Sequence, residues 1–156
     1  MRIVPFAEPH APEVLELIGS VFAEYGMTFE PDGFDDDLRA IRDRYFARRG
    51  WFAVMVDEER VVGTVAALPQ AGRECEIKRL YLRPEYRGRG CGAALMQYIA
   101  EWAATAGFET VVAWSDVRLT RAHLMYERLG FERFAERVVE DADRSREYGF
   151  RKKIAG

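Results

Sequence analysis

Three glycines, two arginines and a cysteine alternate along Arg87-Gly88-Arg89-Gly90-Cys91-Gly92, and the residues on either side leave few folds open. Glu74 to Leu82 reads as a strand. Cys91 to Ala106 reads as a helix, with Leu95, Ile99, Trp102 and Ala106 on its apolar stripe and Gly107 as C-terminal cap. Val111 to Trp114 then reads as a buried strand. A strand–helix–strand unit of this length closes a parallel pair. Glycines at 88, 90 and 92 let a ligand approach the backbone closely. The first N–H groups of the helix lack intrahelical partners and sit at the positive end of its dipole, which suits phosphate. Arg87 and Arg89 add positive charge, so a diphosphate is the natural guest. The same residues also fit a turn that only lets strand and helix pack.

Antiparallel elements surround that unit. Residues 1–6 read as a short first strand. Val14, Leu17, Ile18, Val21, Phe22 and Tyr25 recur at helical spacing and predict an amphipathic helix ended by Gly26. After the loop Glu30-Pro31-Asp32-Gly33, residues Leu38, Ile41 and Tyr45 predict a second helix. Asp35, Asp36 and Asp37 fall in its first turn, where the dipole favours negative charge. Trp51 to Val56 and Val61 to Leu68 predict a β-hairpin around Asp57-Glu58-Glu59. Thr120 caps a short helix ending before Gly130, and Phe131 to Val138 and Glu147 to Ile154 predict two closing strands. The order β-α-α-β-β-β-α-β-α-β-β predicts an α/β (mixed α+β) fold: a mostly antiparallel, twisted sheet of about seven strands with one parallel pair, flanked by about four helices. Residues 1–156 are expected to form one domain.

Composition narrows the function classes. A chain that is 49% hydrophobic and 31% charged matches ordinary soluble proteins. A net charge of −3 argues against a general binder of nucleic acid or anionic membranes. No apolar leader or membrane-spanning segment is evident, so a cytoplasmic location is expected. Cys75 and Cys91 are expected to be reduced thiols, and with His10 and His123 they show no metal-ligand spacing, so no metal is expected.

Two other kinds of phosphate loop fit the sequence less well. A P-loop needs G-x-x-x-x-G-K-[ST], which is absent from the sequence. Gly88, Gly90 and Ala93 fit the dinucleotide pattern G-x-G-x-x-G/A, but three strands and two helices precede the strand–helix–strand unit that carries it, and no acidic residue stands at the end of the next strand at the required separation: Glu109 precedes that strand and Asp116 lies too far on. Nucleotide-dependent redox chemistry is disfavoured accordingly.

Two segments, in the right order on the right elements, resemble the GCN5-related N-acetyltransferase (GNAT) superfamily. Arg87-Gly88-Arg89-Gly90-Cys91-Gly92 resembles its pyrophosphate loop, Q/R-x-x-G-x-G/A. Ala122-His123-Leu124-Met125-Tyr126-Glu127-Arg128-Leu129-Gly130-Phe131 resembles its A-x-x-x-Y-x-x-x-G-F segment. The resemblance spans nearly the whole chain and is clearest from 51 to 131. It implies a GNAT-like sheet whose parallel pair splays into a V-shaped cleft for acetyl-CoA, between Leu80 to Leu82 and residues 111–115. It implies that backbone N–H groups of Gly88 to Gly92, those of Arg89, Gly90 and Cys91 included, hold the pyrophosphate. Leu80 to Leu82 would pair with the pantetheine arm, and the Leu82 N–H would polarise the thioester carbonyl.

Moving an acetyl group to an amine needs a neutral amine, a stabilised oxyanion and a proton for the departing thiolate. The resemblance places Tyr126 near the sulfur as the acid. Its ordinary pKa of about 10 lies above a thiol's, about 8.5, so it stays protonated at neutral pH. Read from periodicity alone, Tyr126 shares an apolar face with Ala122, Met125 and Leu129 and is a core tyrosine. A glutamate at the place of Glu76 is the base in some members of the family, and simple alternation puts Glu76, Lys78, Leu80 and Leu82 on one face. The plainer reading is a solvent-facing glutamate paired with Arg73 or Lys78, and Glu74 is a weaker substitute. One departure stands out. Many members carry an asparagine near the cofactor arm where this chain has Leu119. Ser115 and Asp116 end the neighbouring strand, within reach of the cleft, and read more plainly as polar strand-end residues. His123 reads as an exposed helix residue, and Cys91 as a small residue in the loop.

The acceptor is expected to be a small-molecule or peptide amine. Acidic and aromatic residues between the first two helices (Glu30, Asp32, Asp35 to Asp37, with Tyr25, Met27 and Phe34) would suit a cationic amine, but Asp35 to Asp37 also read as charge-matching the second helix. The competing function is a non-catalytic acyl-CoA-binding or regulatory module on the same fold. Members of the family often dimerise, and a homodimer is compatible with this chain.

Overall fold

The structure is a computed structural model and describes residues 1–155. Its strands are β1 (Arg2–Pro5), β2 (Trp51–Asp57), β3 (Arg60–Pro69), β4 (Glu74–Leu82), β5 (Thr110–Asp116), β6 (Glu132–Val138) and β7 (Arg146–Lys153). They form one sheet in the order β1-β2-β3-β4-β5-β7-β6. Every neighbouring pair is antiparallel except β4 and β5. The helices are α1 (Ala11–Glu24), α2 (Ile41–Arg44), α3 (Cys91–Thr105) and α4 (Thr120–Arg128). None among the described residues is long and apolar enough to cross a membrane.

The near-continuous apolar runs of β2 and β3 follow from burial of both faces. On one face Val14, Leu17 and Ile18 of α1 pack with Phe52, Val54 and Val61. On the other, Leu95, Met96 and Ile99 of α3 pack with Ala53, Val62 and Val65. Gly26, Gly107 and Gly130 end α1, α3 and α4 as expected. Cys75 and Cys91 are unpaired and buried.

The expected second helix is broken. The chain makes a 3-10 turn over Asp36–Arg39, leaves helical geometry at Ala40 (φ −144°, ψ 48°), and adds one α-turn and another 3-10 turn before Gly50. Leu38, Ile41 and Tyr45 are nonetheless buried, as their spacing predicts. Asp35 and Asp37 explain the break. They turn inward instead of lining an exposed first turn. Arg79 Nη2 donates to Asp37 Oδ1 (2.6 Å) and Asp35 Oδ1 (3.1 Å), Arg79 Nε donates to Asp37 Oδ2 (3.1 Å), and the Tyr45 hydroxyl donates to the same oxygen (2.6 Å). Satisfying two buried carboxylates outweighs the continuity of one short helix.

Strand β4 carries a bulge. Thr64 pairs with Tyr81 and Ala66 with Lys78, so Arg79 and Leu80 together oppose the single residue between them on β3. Arg79 sits in the left-handed region (φ 56°), and its carbonyl accepts the buried Thr64 hydroxyl at 2.7 Å. The bulge breaks the alternation assumed from the sequence. Glu76 and Lys78 do not share a face with Leu80 and Leu82. The two leucines join Cys75 and Ile77 on the α3 face, whereas Tyr81 packs into the α1 cluster.

Candidate active site

The parallel ladder between β4 and β5 runs only from Glu74–Thr110 to Ile77–Ala113. Beyond Ile77, just ahead of the bulge, the strands no longer pair. Arg83 N–H donates to Val62 O across the β3 side (2.9 Å), so alternation turns the Leu82 amide to the opposite edge, facing the gap. The Leu82 carbonyl, on that same edge, accepts Arg87 Nη2 at 3.0 Å.

Two cavities meet at the gap, sharing Leu80, Tyr81, Leu119 and Ala122 as walls. The first, about 400 Å³, runs from Leu80 and Leu82 past Arg87, Gly88, Gly90 and Gly92. Among the described residues, the N–H groups of residues 88–93 donate to no backbone carbonyl, while the ladder of α3 begins with Ala94 N–H on Gly90 O (3.0 Å). Gly88 (φ 72°) and Gly90 (φ 82°) occupy the left-handed region that fans these amides outward. A Cβ on Gly92 would lie 2.9 Å from Met125 Sδ, so glycine there keeps α3 close to α4.

The loop's side chains depart from expectation. Arg87 binds Glu24 with two short bonds (2.6 and 2.9 Å), so its charge anchors the loop to α1. Arg89 turns toward Glu85 O (3.3 Å) and the Tyr86 ring (5.1 Å to the centroid) and does not line the cavity. The Cys91 thiol is buried in the α3 core, which leaves its backbone facing the loop. Two other cations, Arg121 and Arg128 of α4, line this cavity, and Arg121 Nη2 lies 3.4 Å from where a Gly88 Cβ would be. Their spacing from Met125, on the same helix face, was the signal that motif matching passed over.

The second cavity, about 470 Å³, lies between the sheet and the α1–α2 segment. Glu76, Tyr126, Ser115, Asp116 and Glu147 reach it together. The Tyr126 ring is 5% exposed and packs between Phe131 and Phe150 (centroids 5.6 and 5.1 Å), so it is a core tyrosine and a cleft residue at once. Its hydroxyl makes no hydrogen bond to any described residue. Burial, with Tyr81 and Glu147 nearby, pushes this phenol well above its ordinary pKa. The Glu76 carboxylate is 14% exposed and 3.9 Å from Lys78 Nζ. It is not solvent-facing, though the Lys78 pairing holds.

Sequence reasoning passed over Glu147. It stands opposite Asp116 in the β5–β7 register, and Arg137 Nε donates to it at 2.8 Å. Burial pushes its carboxyl upward against the pull of Arg137, and Glu76 and Asp116 push it the same way. His123 is not an exposed helix residue: it is half-buried, 3.1 Å from Ser115 Oγ, with its pKa lowered by burial. Asp116 pairs with Arg118 (2.8 Å) and Leu119 forms part of the wall between the cavities.

A splayed parallel pair, a glycine loop at the head of α3 and a polar cavity behind the gap define a GNAT-type fold. Residues 16–131 match the Acetyltransferase (GNAT) family. An uncharacterized N-acetyltransferase of Schizosaccharomyces pombe is 32% identical over 118 residues, 74% of this chain and 72% of that protein. The fold is shared with a GNAT-family acetyltransferase of Staphylococcus aureus Mu50 (TM-score 0.87, 14% identity, 98% of each chain). It is shared too with an aminoglycoside 6'-N-acetyltransferase complexed with coenzyme A (TM-score 0.75, 18% identity, 100% of this chain and 98% of that one). The chain belongs to the acetyltransferase (GNAT) family.

Proposed function

We propose that this protein transfers the acetyl group of acetyl-CoA to a primary amine by direct attack on the thioester. The observation that carries the reading is the junction of the two cavities at the β4–β5 gap, with a free Tyr126 hydroxyl beside it. The first cavity suits a pantetheine arm between apolar walls, and its outward-facing amides, with Arg121 and Arg128, suit a diphosphate.

In this reading the amine enters from the second cavity and its nitrogen bonds to the thioester carbon. The carbonyl oxygen becomes an oxyanion and takes the Leu82 N–H. The C–S bond then breaks. The Tyr126 O–H donates to the departing sulfur, first as a hydrogen bond while charge develops and then as its proton. The proton lost by the amine passes to Glu76 or Glu147, directly or through water, and returns from there through solvent to the phenolate, so that both groups are restored before the next turnover. No metal takes part.

Release of coenzyme A thiol in the presence of a panel of amines tests the reading. Tyr126→Phe is expected to lower kcat by about 100-fold while leaving acetyl-CoA affinity within about twofold, since the hydroxyl bonds no protein group. An unchanged kcat would remove Tyr126 from the proton path. Tight acetyl-CoA binding with no thiol release for any amine would favour a non-catalytic acyl-CoA-binding module.

A further inference from the structure

The buried cluster around Arg79 takes no part in the proton and acetyl transfers, yet it stands against the second cavity and just ahead of Leu80 to Leu82. The Arg79 side chain is 10% exposed, and Asp35 and Asp37 hold its guanidinium through three hydrogen bonds. Both acids belong to the segment that walls the second cavity, as does Tyr45, whose hydroxyl donates to Asp37. Left-handed backbone is costly for a residue with a Cβ, so φ 56° at Arg79 persists because its surroundings fix it. The clamp on the guanidinium and the Thr64 hydroxyl on the carbonyl are the contacts that do so. The bulge made by that conformation decides which amide faces the gap. Ahead of it, Gln70 N–H donates to Glu74 O (2.8 Å), so alternation turns the polar groups of Glu74, Glu76 and Lys78 toward β3 and those of Cys75 and Ile77 toward β5. Past it, the N–H that meets β3 is that of Arg83, at Val62 O. The alternation has shifted by one. In a strand without the extra residue, the Leu82 amide would bond to β3 and the gap would receive the amide of Arg83.

We propose that Arg79 is a positioning residue for acetyl transfer: clamped by Asp35 and Asp37, it fixes the bulge that delivers the Leu82 amide to the thioester carbonyl. The wall of the acceptor cavity and the oxyanion donor are then one mechanical unit, because the same two carboxylates line the first and hold the second. Arginine suits the task where lysine would not, since its planar fork meets two carboxylates in fixed geometry. This inference rests on the acetyl-transfer reading and adds a residue to it.

The test compares Arg79→Ala with Arg79→Gly, each in a chain that also carries Asp35→Asn and Asp37→Asn, so that no buried carboxylate is left without its cation. Both lack the clamp, but glycine adopts the left-handed backbone freely and alanine does not. The readouts are the infrared carbonyl stretch of bound acetyl-CoA isotopically labelled at the thioester carbonyl, its affinity by titration, and thiol release with the amine panel. The wild type should lower the stretch relative to free acetyl-CoA. The alanine variant should lose that shift and about 100-fold in kcat, the effect of removing one oxyanion donor, with affinity kept within about 10-fold. The glycine variant should recover the shift and at least about 10-fold of the lost kcat. A role in stability alone would move the thermal midpoint and leave the stretch of the folded, ligand-bound protein unchanged. Arg79→Lys, which keeps the charge and loses the fork, serves if the triple variants do not fold, and shift and kcat should fall in it together. A full shift in the alanine variant or in Arg79→Lys, or equal losses with alanine and glycine, would overturn the proposal and leave acetyl transfer standing. The expected pattern of shifts with no thiol release from any amine would keep the positioning role and defeat the transfer reading. No shift in the wild type would defeat the proposal, and thiol release would then decide the transfer reading on its own.

Discussion

Burial acts in the same direction on Glu147 and Tyr126. Removing a carboxyl and a phenol from water favours the neutral form of each, so both are pushed upward. For a base, a raised pKa improves proton uptake but narrows the working range: activity falls as the pH drops through it. With acceptor saturating, the acid limb of kcat is therefore expected above the usual carboxylate value of about 4.3, and Glu147→Gln should remove that limb. A limb unchanged in Glu147→Gln and lost in Glu76→Gln would return the role to Glu76. Asp37 makes the opposite case. Burial would raise its carboxyl, but hydrogen bonds and charge from Arg79, with the Tyr45 hydroxyl, outweigh this and hold it below the ordinary value. Its folded pKa is thus lower than its unfolded one, about 3.9. The stability it contributes is present above that pH and fades as the pH falls toward the folded value. Thermal midpoints followed from pH 7 to pH 3 should fall less steeply in Asp37→Asn, from a lower starting point. A parallel fall in both proteins would mean that the Asp37–Arg79 cluster is not what titrates. Glu76 was legible because its strand leads straight into the glycine loop. Glu147 was not, because only the insertion of β7 between β5 and β6 brings it to the cavity that Glu76 also lines.

At the scale of elements, what the sequence showed best was where things stop. Glycine spacing marked the ends of α1, α3 and α4, and the apolar period found the buried positions Leu38, Ile41 and Tyr45 even where the helix itself is broken. The bulge in β4 was not legible. Arginine is an unremarkable strand residue, and its left-handed conformation is stabilised by partners far along the chain, Asp35, Asp37 and Thr64. That one extra residue turns Leu80 and Leu82 to the α3 face, just past the point where β4 and β5 stop pairing. The loop at the head of α3 depends on left-handed backbone in a different way. Gly90→Ala at φ 82° is expected to cost about 1–2 kcal/mol and to weaken acetyl-CoA binding by misdirecting the amides that follow. A mutant with wild-type affinity for acetyl-CoA in a direct titration would show that those amides do not hold the pyrophosphate.

For the whole molecule, the element order and the mixed sheet were readable because each segment carries its own period and punctuation. The spatial order β5-β7-β6 was not, since antiparallel strands at the end of a chain can add outside or insert between, and local patterning is blind to the choice. The family was legible through two short segments, the glycine loop and the helix that carries Tyr126. All of it depends on the first cavity taking acetyl-CoA. Thermal unfolding with acetyl-CoA, coenzyme A or NADH, each at about 100 times the expected Kd, is the direct test. Binding to the native state alone should add about 2.7 kcal/mol, a rise of roughly 5–10 °C for a chain of this size, with acetyl-CoA and coenzyme A but not NADH. No rise with either coenzyme A species, or an equal rise with NADH, would contradict the assignment of the cavity and with it the proposed function.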